Sequence, residues 1–272
     1  MNAATDTFAA DDAAAARNRK IIIRGGQVAV AVALIWIWKI GADTAGELFV
    51  ADPFKVWDRL IKIAMSGELW MHTYETLRIS FIGFVIGCFF GVLMPFVLRR
   101  LPRLTDAIEP YIMASVGVPK YALIPLFILW FGIKDAPKLW LIGLLVFYPV
   151  FIAIFAGIRG VDGRLINMAR VVGASETRIS REVIWNALLP FFFSGLKIAL
   201  PRAVSAAIIG EFLVGNKGIG YYIEHSRQQM DVTGAFTGII VATALVLIVN
   251  SALVYIDKRV NAWRPTDRHM AV

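Results

Sequence analysis

Five ionisable side chains stand inside or beside long apolar runs. They are Arg78, Lys120, Lys197, Arg202 and Glu211. At membrane depth such residues usually face a bundle interior or a watery cavity, and they mark pathways and ion sites. The pathway or gate candidates are Glu211, Arg202, Gly215 and Tyr221. For Glu211, which directly precedes the glycine-rich segment 215–220, the alternative is a salt bridge or a hydrogen-bonded cap of that segment.

The chain offers no catalytic constellation. The sequence contains no G-x-x-x-x-G-K-[ST] phosphate loop, since the glycines of 215–220 lack the Lys-Ser/Thr ending. His72, His225 and His269 are scattered and form no metal-ligand pair at helical spacing. One cysteine, Cys88, allows no intrachain disulfide and no cysteine-only metal cage. We therefore expect no ATPase activity, no metal site and no cofactor bound by this chain.

The composition is that of a membrane protein. Of 272 residues, 58% are hydrophobic and 18% are charged, against about 45–50% apolar and about 25% charged in soluble domains. This apolar excess excludes disorder for the bulk of the chain. The net charge of +8 does not require a nucleic-acid partner, because membrane proteins retain Lys and Arg on the cytoplasmic side.

Six runs approach the roughly 20 apolar residues that one helix needs to cross a bilayer. They occupy 24–41, 76–98, 108–131, 138–158, 189–214 and 234–256. The first run could instead be a cleaved signal peptide, but its long leader is acidic as well as basic and no small-x-small cleavage site follows. We therefore predict an all-α membrane protein with six transmembrane helices and an uncleaved first span.

The distribution of Lys and Arg predicts the orientation. The basic residues concentrate before the first run and after the second, fourth and sixth, which places both termini in the cytoplasm. The segment 1–20 is predicted to be a mobile cytoplasmic tail, and 261–272 a cytoplasmic C-terminal tail. Apolar and charged residues alternate with helical spacing over 53–66, which predicts an amphipathic helix on the outer membrane interface.

The spans group into two regions. Residues 21–75 hold the first span and the interfacial helix, and 76–260 form a core of five spans interrupted by a cytoplasmic loop at 160–188. Gly83, Gly87 and Gly91 recur at four-residue spacing in the second span. Small residues at that interval let another helix approach closely, so these glycines are predicted to pack helices rather than to bind anything.

The loop at 160–188 contains two amphipathic patterns. Leu165, Met168, Ala169 and Val172 form one apolar stripe, and Ile179 with Val183 forms another. Gly173 separates them, and Ser175 is a suitable N-cap for the second. We expect two short helices hinged at Gly173. Their apolar face either lies back on the bilayer and the span ends, or docks a cytoplasmic partner.

This loop resembles the EAA loop of bacterial ABC importer permeases, which reads Glu-Ala-Ala, three residues, Gly, nine residues, then Ile-x-Leu-Pro. Gly173 matches the glycine, Ala169 the second alanine and Val183 the aliphatic position. Departures occur at Asn167, at Met168 and at Trp185-Asn186. The wider resemblance, to the nitrate/sulfonate/taurine branch, rests on LIPLFILWFGI at 123–133, the 157–161 run, ARVVGAS at 169–175 and GEFLVGNKGIGYYI at 210–223.

The resemblance implies a type I ABC importer permease fold with cytoplasmic coupling helices, in the bacterial inner membrane. Its implied partners are membrane lipid, a second permease copy, two ATPase subunits that bind ATP and Mg²⁺, and a periplasmic or lipid-anchored solute-binding protein. The implied ATPase-coupling residues are Asn167, Ala169, Arg170, Gly173, Ala174, Ser175 and Val183. A small anion such as a sulfonate, taurine or nitrate is the favoured solute, while vitamin precursors and aromatic acids stay open.

Two further hypotheses remain. The chain could be a secondary transporter driven by an ion gradient, with Glu211 as the proton or sodium site. Such transporters often contain internal repeats, and the first three and last three spans share no obvious motif. A membrane-embedded enzyme or scaffold is disfavoured because the catalytic constellation is missing.

Overall fold

A computed structural model describes residues 3–260, which form helices joined by short connections and contain no strand. The elements are α1 (Ala3–Ala45), α2 (Pro53–Met65), α3 (Glu68–Arg99), α4 (Pro102–Ser115), a 3₁₀ turn (Lys120–Leu123), α5 (Ile124–Phe131), α6 (Asp135–Gly160), α7 (Gly163–Val171), α8 (Glu176–Arg178), a π-helical turn (Ile179–Ile184), α9 (Trp185–Val214), α10 (Ile219–Gln228) and α11 (Val232–Val260).

Within the described residues, five helices are long and apolar enough to cross a membrane, or six if one bent pair counts as a single span. The bent pair is the predicted third span. α4 and the segment Lys120–Phe131 meet at 90°, so the span predicted over 108–131 is bent sharply rather than continuous. Pro119 explains the break, since proline lacks a backbone N–H and disfavours helical geometry in the residue before it.

Two other predicted boundaries lie inside helices. α1 begins at Ala3, so the tail predicted over 1–20 is helical from that residue and continuous with the first span. α3 begins at Glu68, so the boundary between 21–75 and 76–260 cuts a helix rather than a linker. The C-terminal tail predicted over 261–272 lies outside the described residues.

The bundle is centred on α6, which packs against α3 on one side and α9 on the other. In the most apolar 18-residue stretch of α6, 56% of the residues are buried, against 6% in that of the first span. α6 is therefore the central helix of the bundle, and α1 lies at its periphery. Leu141, Ile142, Val146 and Ile154 of α6 are completely buried. The connections between helices lie alternately at the two ends of the bundle. We call these the Gly173 end and the Glu211 end, because the two residues lie at opposite ends of the rod formed by α8, the π-helical turn and α9.

α2 has the amphipathic character predicted for 53–66. Val56 and Ile63 are buried, while Phe54, Trp57 and Met65 are exposed. Asp52 caps the helix by accepting a hydrogen bond from the Phe54 N–H at 2.7 Å. The Lys39 ammonium, 2.9 Å from the carboxylate, holds the pKa of Asp52 below its ordinary value. Whether α2 lies on the bilayer surface stays a prediction.

Gly83, Gly87 and Gly91 all face α6. A Cβ at Gly83 would lie 2.6 Å from the Ile142 Cβ, and one at Gly91 would lie 2.9 Å from the Val150 Cβ. At Gly87 it would lie 2.6 Å from the carbonyl oxygen of Gly143. Because glycine has no side chain, the backbones of α3 and α6 lie closer together than any other residue at these three positions would allow.

Gly87→Ala is therefore expected to destabilise the bundle by about 1–3 kcal/mol, the usual cost of overpacking a core. The obstructing atom belongs to the backbone and cannot rotate away. Gly41→Ala is the matched control, because Gly41 lies in a spanning helix with nothing within 4 Å of its Cβ position. Thermal unfolding in detergent measures both, and equal midpoints would contradict this account of the contact.

Candidate functional site: the Gly173 loop and the Glu211 cluster

The Gly173 loop, residues 160–184, is built by short-range capping. Asp162 accepts a hydrogen bond from the Arg164 N–H at 2.8 Å and begins α7, and the Arg164 side chain lowers the pKa of Asp162. Gly173 ends the turn with φ of +82°, a conformation that non-glycine residues rarely adopt. Ser175 then caps α8 by accepting from the Arg178 N–H at 3.3 Å.

The apolar residues of this loop divide between two surfaces. Leu165, Met168, Val171 and Val172 are exposed, the last two by 87% and 82%. Ala169, Ala174, Ile179 and Val183 instead pack on the core of the bundle. Ala169, Ile179 and Val183 thus follow the first of the two predicted alternatives, since they pack on the chain's own spans. Only the first group is left uncovered.

The second short helix predicted after Gly173 is not separate. α8 continues through the π-helical turn into α9, forming one rod over Glu176–Val214. Asn186, which stands where the resembling pattern has proline, donates its side-chain N–H to the Glu182 carbonyl at 2.7 Å. A proline would offer no donor there. Only Gly173 therefore separates α7 from the fifth span.

Glu176 ties the Gly173 loop to α3. Its carboxylate accepts from Arg170 Nε at 2.8 Å and from Arg99 Nη2 at 3.4 Å. Arg99, near the end of α3, also donates to the Ser180 hydroxyl at 3.2 Å. Glu176 thus connects α7 to the end of α3 and to the start of the rod that continues into α9.

From the resemblance of this loop to that of importer permeases, Glu176→Gln is expected to lower solute uptake per ATP hydrolysed. Stability should change by less than about 1 kcal/mol, since exposed ion pairs contribute little to folding. Glu182→Gln is the matched control, because the ion-pair partners of Glu182, Arg178 and Arg181, lie on its own helix. Uptake and hydrolysis measured on the same proteoliposomes give the ratio. An equal effect of both variants would show that the link to α3 is not used.

The Glu211 cluster joins three segments at the opposite end. Glu211 is 1% exposed, and its Oε2 accepts from the Thr76 hydroxyl and from the Gly220 N–H, each at 2.9 Å. Thr76 in turn accepts from the Ile219 N–H at 2.9 Å. Among the side chains that the structure describes Glu211 forms no salt bridge, so its geometry is that of a hydrogen-bonded cap holding 215–220 against α3 and α9.

The glycines of 215–220 fit tightly around this carboxylate. A Cβ at Gly218, where φ is +108°, would lie 2.2 Å from the Glu211 Cδ. A Cβ at Gly220 would lie 2.1 Å from the Ile208 carbonyl oxygen. Gly215 donates its N–H to the Glu211 carbonyl at 2.8 Å. The cluster of glycines is therefore required by close approach to Glu211 rather than by a bound phosphate.

His72 completes the cluster and was not predicted from the sequence. Its Nδ1 accepts from the Gly218 N–H at 3.0 Å. Its ring lies 6.0 Å from that of Tyr221, which stacks on His225 at 5.4 Å. Thr76 and His72 are separated by four residues on α3, so they lie on one face of that helix, but the sequence contains no signal that this face meets 215–220.

The other membrane-depth cations are placed separately. Arg78 donates to Glu75 and to Asp135, at 2.6 and 2.7 Å. Lys197 pairs with Asp257 at 2.5 Å. Arg202 is exposed on α9, nine residues before Glu211 and far from it. The predicted gate candidates Glu211, Gly215 and Tyr221 are therefore brought together, whereas Arg202 is not part of that cluster.

These features define a polytopic helical membrane protein with a broken span, a glycine-hinged loop at one end and a buried hydrogen-bonded cluster at the other. The chain belongs to the family described as binding-protein-dependent transport system inner membrane component, which matches residues 83–262. The matched region contains both the Gly173 loop and Glu211. The chain is thus the multi-pass permease subunit of an ABC importer of the inner membrane.

Two relatives cover most of the chain. The putative aliphatic sulfonates transport permease protein of Bacillus subtilis is 29% identical over 85% of this chain and 84% of its own length. The formylaminopyrimidine transport permease protein of Halalkalibacterium halodurans is also 29% identical, over 85% of this chain and 92% of its own length. Equal identity to two proteins named for different solutes means that overall similarity does not select a substrate.

The fold agrees with a solved structure. The inward-facing methionine ABC transporter MetNI superposes with a TM-score of 0.58 at 19% identity, covering 69% of this chain and 93% of the other. At that identity the similarity concerns the fold alone. The chain thus has the type I importer permease fold that its sequence predicted.

Proposed function

We propose that this permease subunit works as one of two copies that enclose a single solute pathway. Two separate ATPase subunits bind ATP and Mg²⁺ and dock at the Gly173 end, and a solute-binding protein delivers its ligand to the Glu211 end. The single observation that carries this proposal is the uncovered apolar face of α7, formed by Leu165, Met168, Val171 and Val172.

That face suits a protein partner. Exposed apolar patches rimmed by polar residues are typical of interaction sites, and this one is bordered by Asn167, Arg170 and Arg178, all exposed. The arginines concentrated near it assign this end to the cytoplasm by the positive-inside rule. This supports the proposed orientation, in which the start of α1 and the end of α11 face the cytoplasm, where ATP is available.

The same geometry supports a mechanism. Closure of the ATPase pair on ATP pushes the two α7 helices together, and the Arg99–Glu176 contact passes this movement to α3 and α9. The rod of α8, the π-helical turn and α9 contains 39 residues, about 58 Å at 1.5 Å per residue, and reaches the Glu211 cluster. Bundles that rock as rigid bodies then alternate access between the two sides.

A small organic or inorganic anion of the sulfonate, taurine or nitrate type is the proposed solute. The sulfonate-named relative supports this class, and the formylaminopyrimidine-named relative makes a vitamin precursor the alternative. Selection between them is assigned to the binding protein.

Reconstitution tests the proposed function. The permease is placed in proteoliposomes with and without its ATPase and binding protein, and uptake of radiolabelled ethanesulfonate and of formylaminopyrimidine is measured with ATP or with a proton or sodium gradient. We expect uptake only with all subunits and ATP. Gradient-driven uptake by the permease alone would overturn the proposal in favour of a secondary transporter.

A further inference from the structure

The break in the third span leaves the carbonyl groups of a helix end at membrane depth. α4 contains 14 residues, about 21 Å at 1.5 Å per residue, so the span changes direction before it has crossed a bilayer core of about 30 Å. The last carbonyl groups of a helix have no partner within that helix. In lipid they must be satisfied by the protein itself, because no water is available to them. The break therefore requires additional hydrogen-bond donors.

Backbone N–H groups satisfy only part of this helix end. Val116, Gly117 and Val118 each donate to the carbonyl three residues earlier, at 3.2 Å. Pro119 then contributes no N–H. The carbonyls of Val116 and Val118 instead accept from the Lys120 ammonium, at 2.8 and 3.3 Å. A side chain thus completes the cap at the point where proline removes a backbone donor.

The Lys120 ammonium uses all of its donors in this way. A third hydrogen bond, of 3.3 Å, goes to the Ser115 carbonyl, so three N–H groups meet three carbonyl oxygens. These carbonyls form the negative end of the α4 dipole, which favours a cation. Lys120 is only 9% exposed, and lysine is rarely buried without a partner. The end of α4 is therefore the partner of this charge.

Tyr148 connects this cap to α6. The Lys120 Nζ lies 4.2 Å from the centroid of the Tyr148 ring, within the range of a cation–π interaction. The Tyr148 hydroxyl lies 2.8 Å from the Ser115 hydroxyl, within hydrogen-bond distance, and this contact fixes the ring beside the end of α4. The break is thus attached at two points to the central helix of the bundle.

We propose that Lys120 is the cap that holds the third span bent, and that its contact with Tyr148 makes the break a fixed part of the α6 body rather than a flexible hinge. Pro119 interrupts the helix, whereas the ammonium group stabilises one geometry of the interruption. This inference does not rest on the proposed function, since it concerns contacts within this chain.

Distances between nitroxide labels, measured by double electron–electron resonance, test the cap. In a Cys88→Ser background, Leu104→Cys on α4 and Leu129→Cys on α5 place labels on either side of the break, at exposed positions. The full-length permease is studied in nanodiscs and diluted with unlabelled protein, so that distances between copies do not contribute. A reference pair at two other exposed positions, Phe81→Cys on α3 and Leu247→Cys on α11, reports whether the bundle persists.

Lys120→Met keeps an unbranched side chain but removes the charge and all three donors. We expect it to lower the ratio of the wild-type distance to other distances by about tenfold or more, because three hydrogen bonds to a charged group are lost. Lys120→Arg should keep the wild-type distance, since a guanidinium supplies both donors and charge. Lys134→Met, which removes an exposed lysine after α5, should change nothing. A wild-type distribution in Lys120→Met would overturn the proposal.

Variants of Tyr148 keep the proposal falsifiable if Lys120→Met loses the distance of the reference pair and so does not fold. Tyr148→Leu removes the ring, whereas Tyr148→Phe removes only the hydroxyl. We expect Tyr148→Leu to broaden the distribution between α4 and α5, and Tyr148→Phe to broaden it less, with the reference pair unchanged in both. Wild-type distributions in both variants, or equal broadening, would overturn the assignment of the ring as the attachment to α6.

Discussion

Gly173→Arg is expected to reduce ATP-driven uptake by about tenfold or more, within the usual range of coupling free energies, while the permease still inserts and folds. Gly173 lies at the exposed end of α7 with φ of +82° and nothing within 4 Å of its Cβ position. A Cβ atom at this position therefore clashes with none of the residues that the structure describes. The arginine side chain would clash with a partner docked on α7. The left-handed backbone conformation adds a local conformational cost of about 1–2 kcal/mol for any non-glycine residue.

Two controls separate these causes. Gly67→Arg imposes a comparable left-handed backbone penalty, at φ of +86° and ψ of −11° with nothing within 4 Å of its Cβ position, but outside the proposed docking face. Gly173→Asn keeps a residue that tolerates the left-handed region without the bulk of arginine. We expect near-normal uptake from both. Gly173→Asp should behave like Gly173→Arg.

The measurement is uptake and ATP hydrolysis in the same proteoliposomes, with ATPase retention checked by size-exclusion chromatography. Loss of uptake with hydrolysis retained, or with the ATPase released, supports the assigned role of the Gly173 loop. Normal uptake by Gly173→Arg would remove that role.

The second large effect is expected at the Glu211 cluster. Glu211→Ala leaves the Gly220 N–H and the Thr76 hydroxyl buried without their acceptor, at about 1–3 kcal/mol each. Gly220→Ala forces a methyl group to within 2.1 Å of the Ile208 carbonyl oxygen and should destabilise the end of α9 at least as strongly. Both variants are expected to unfold at clearly lower temperature in detergent and to lose uptake.

Glu211→Gln separates a structural carboxylate from an ion site. A carboxamide oxygen can accept the same two hydrogen bonds, and the NH₂ group can take the position of Oε1, which has no hydrogen-bond partner in the part of the chain whose side chains are described. We therefore expect stability within about 1 kcal/mol of wild type and uptake that persists. Loss of uptake by a stably folded Glu211→Gln variant would instead indicate that the negative charge or its proton is used in transport.

Much of this protein follows from local sequence. Crossing a bilayer depends on the summed transfer free energy of about 20 neighbouring residues. The local apolar runs therefore predicted five spans that are single long helices and a sixth, the third in chain order, that is bent. Gly173 was found for a similar reason, because a left-handed turn between two caps depends on a few adjacent residues. The spacing of Gly83, Gly87 and Gly91 likewise predicted a close helix contact, although not that α6 makes it.

What only the tertiary structure decided involves residues that are distant in sequence. Glu211 and Thr76 are 135 residues apart, and no property of either segment indicates that α3 and α9 bring them into contact. The same holds for the division of the loop's apolar residues, since Ile179 and Leu165 are equally apolar and only the first packs into the core of the bundle. The 90° bend at Pro119 has both a local cause and a tertiary one. Proline breaks the helix locally, but the direction of the bend depends on how the neighbouring helices pack.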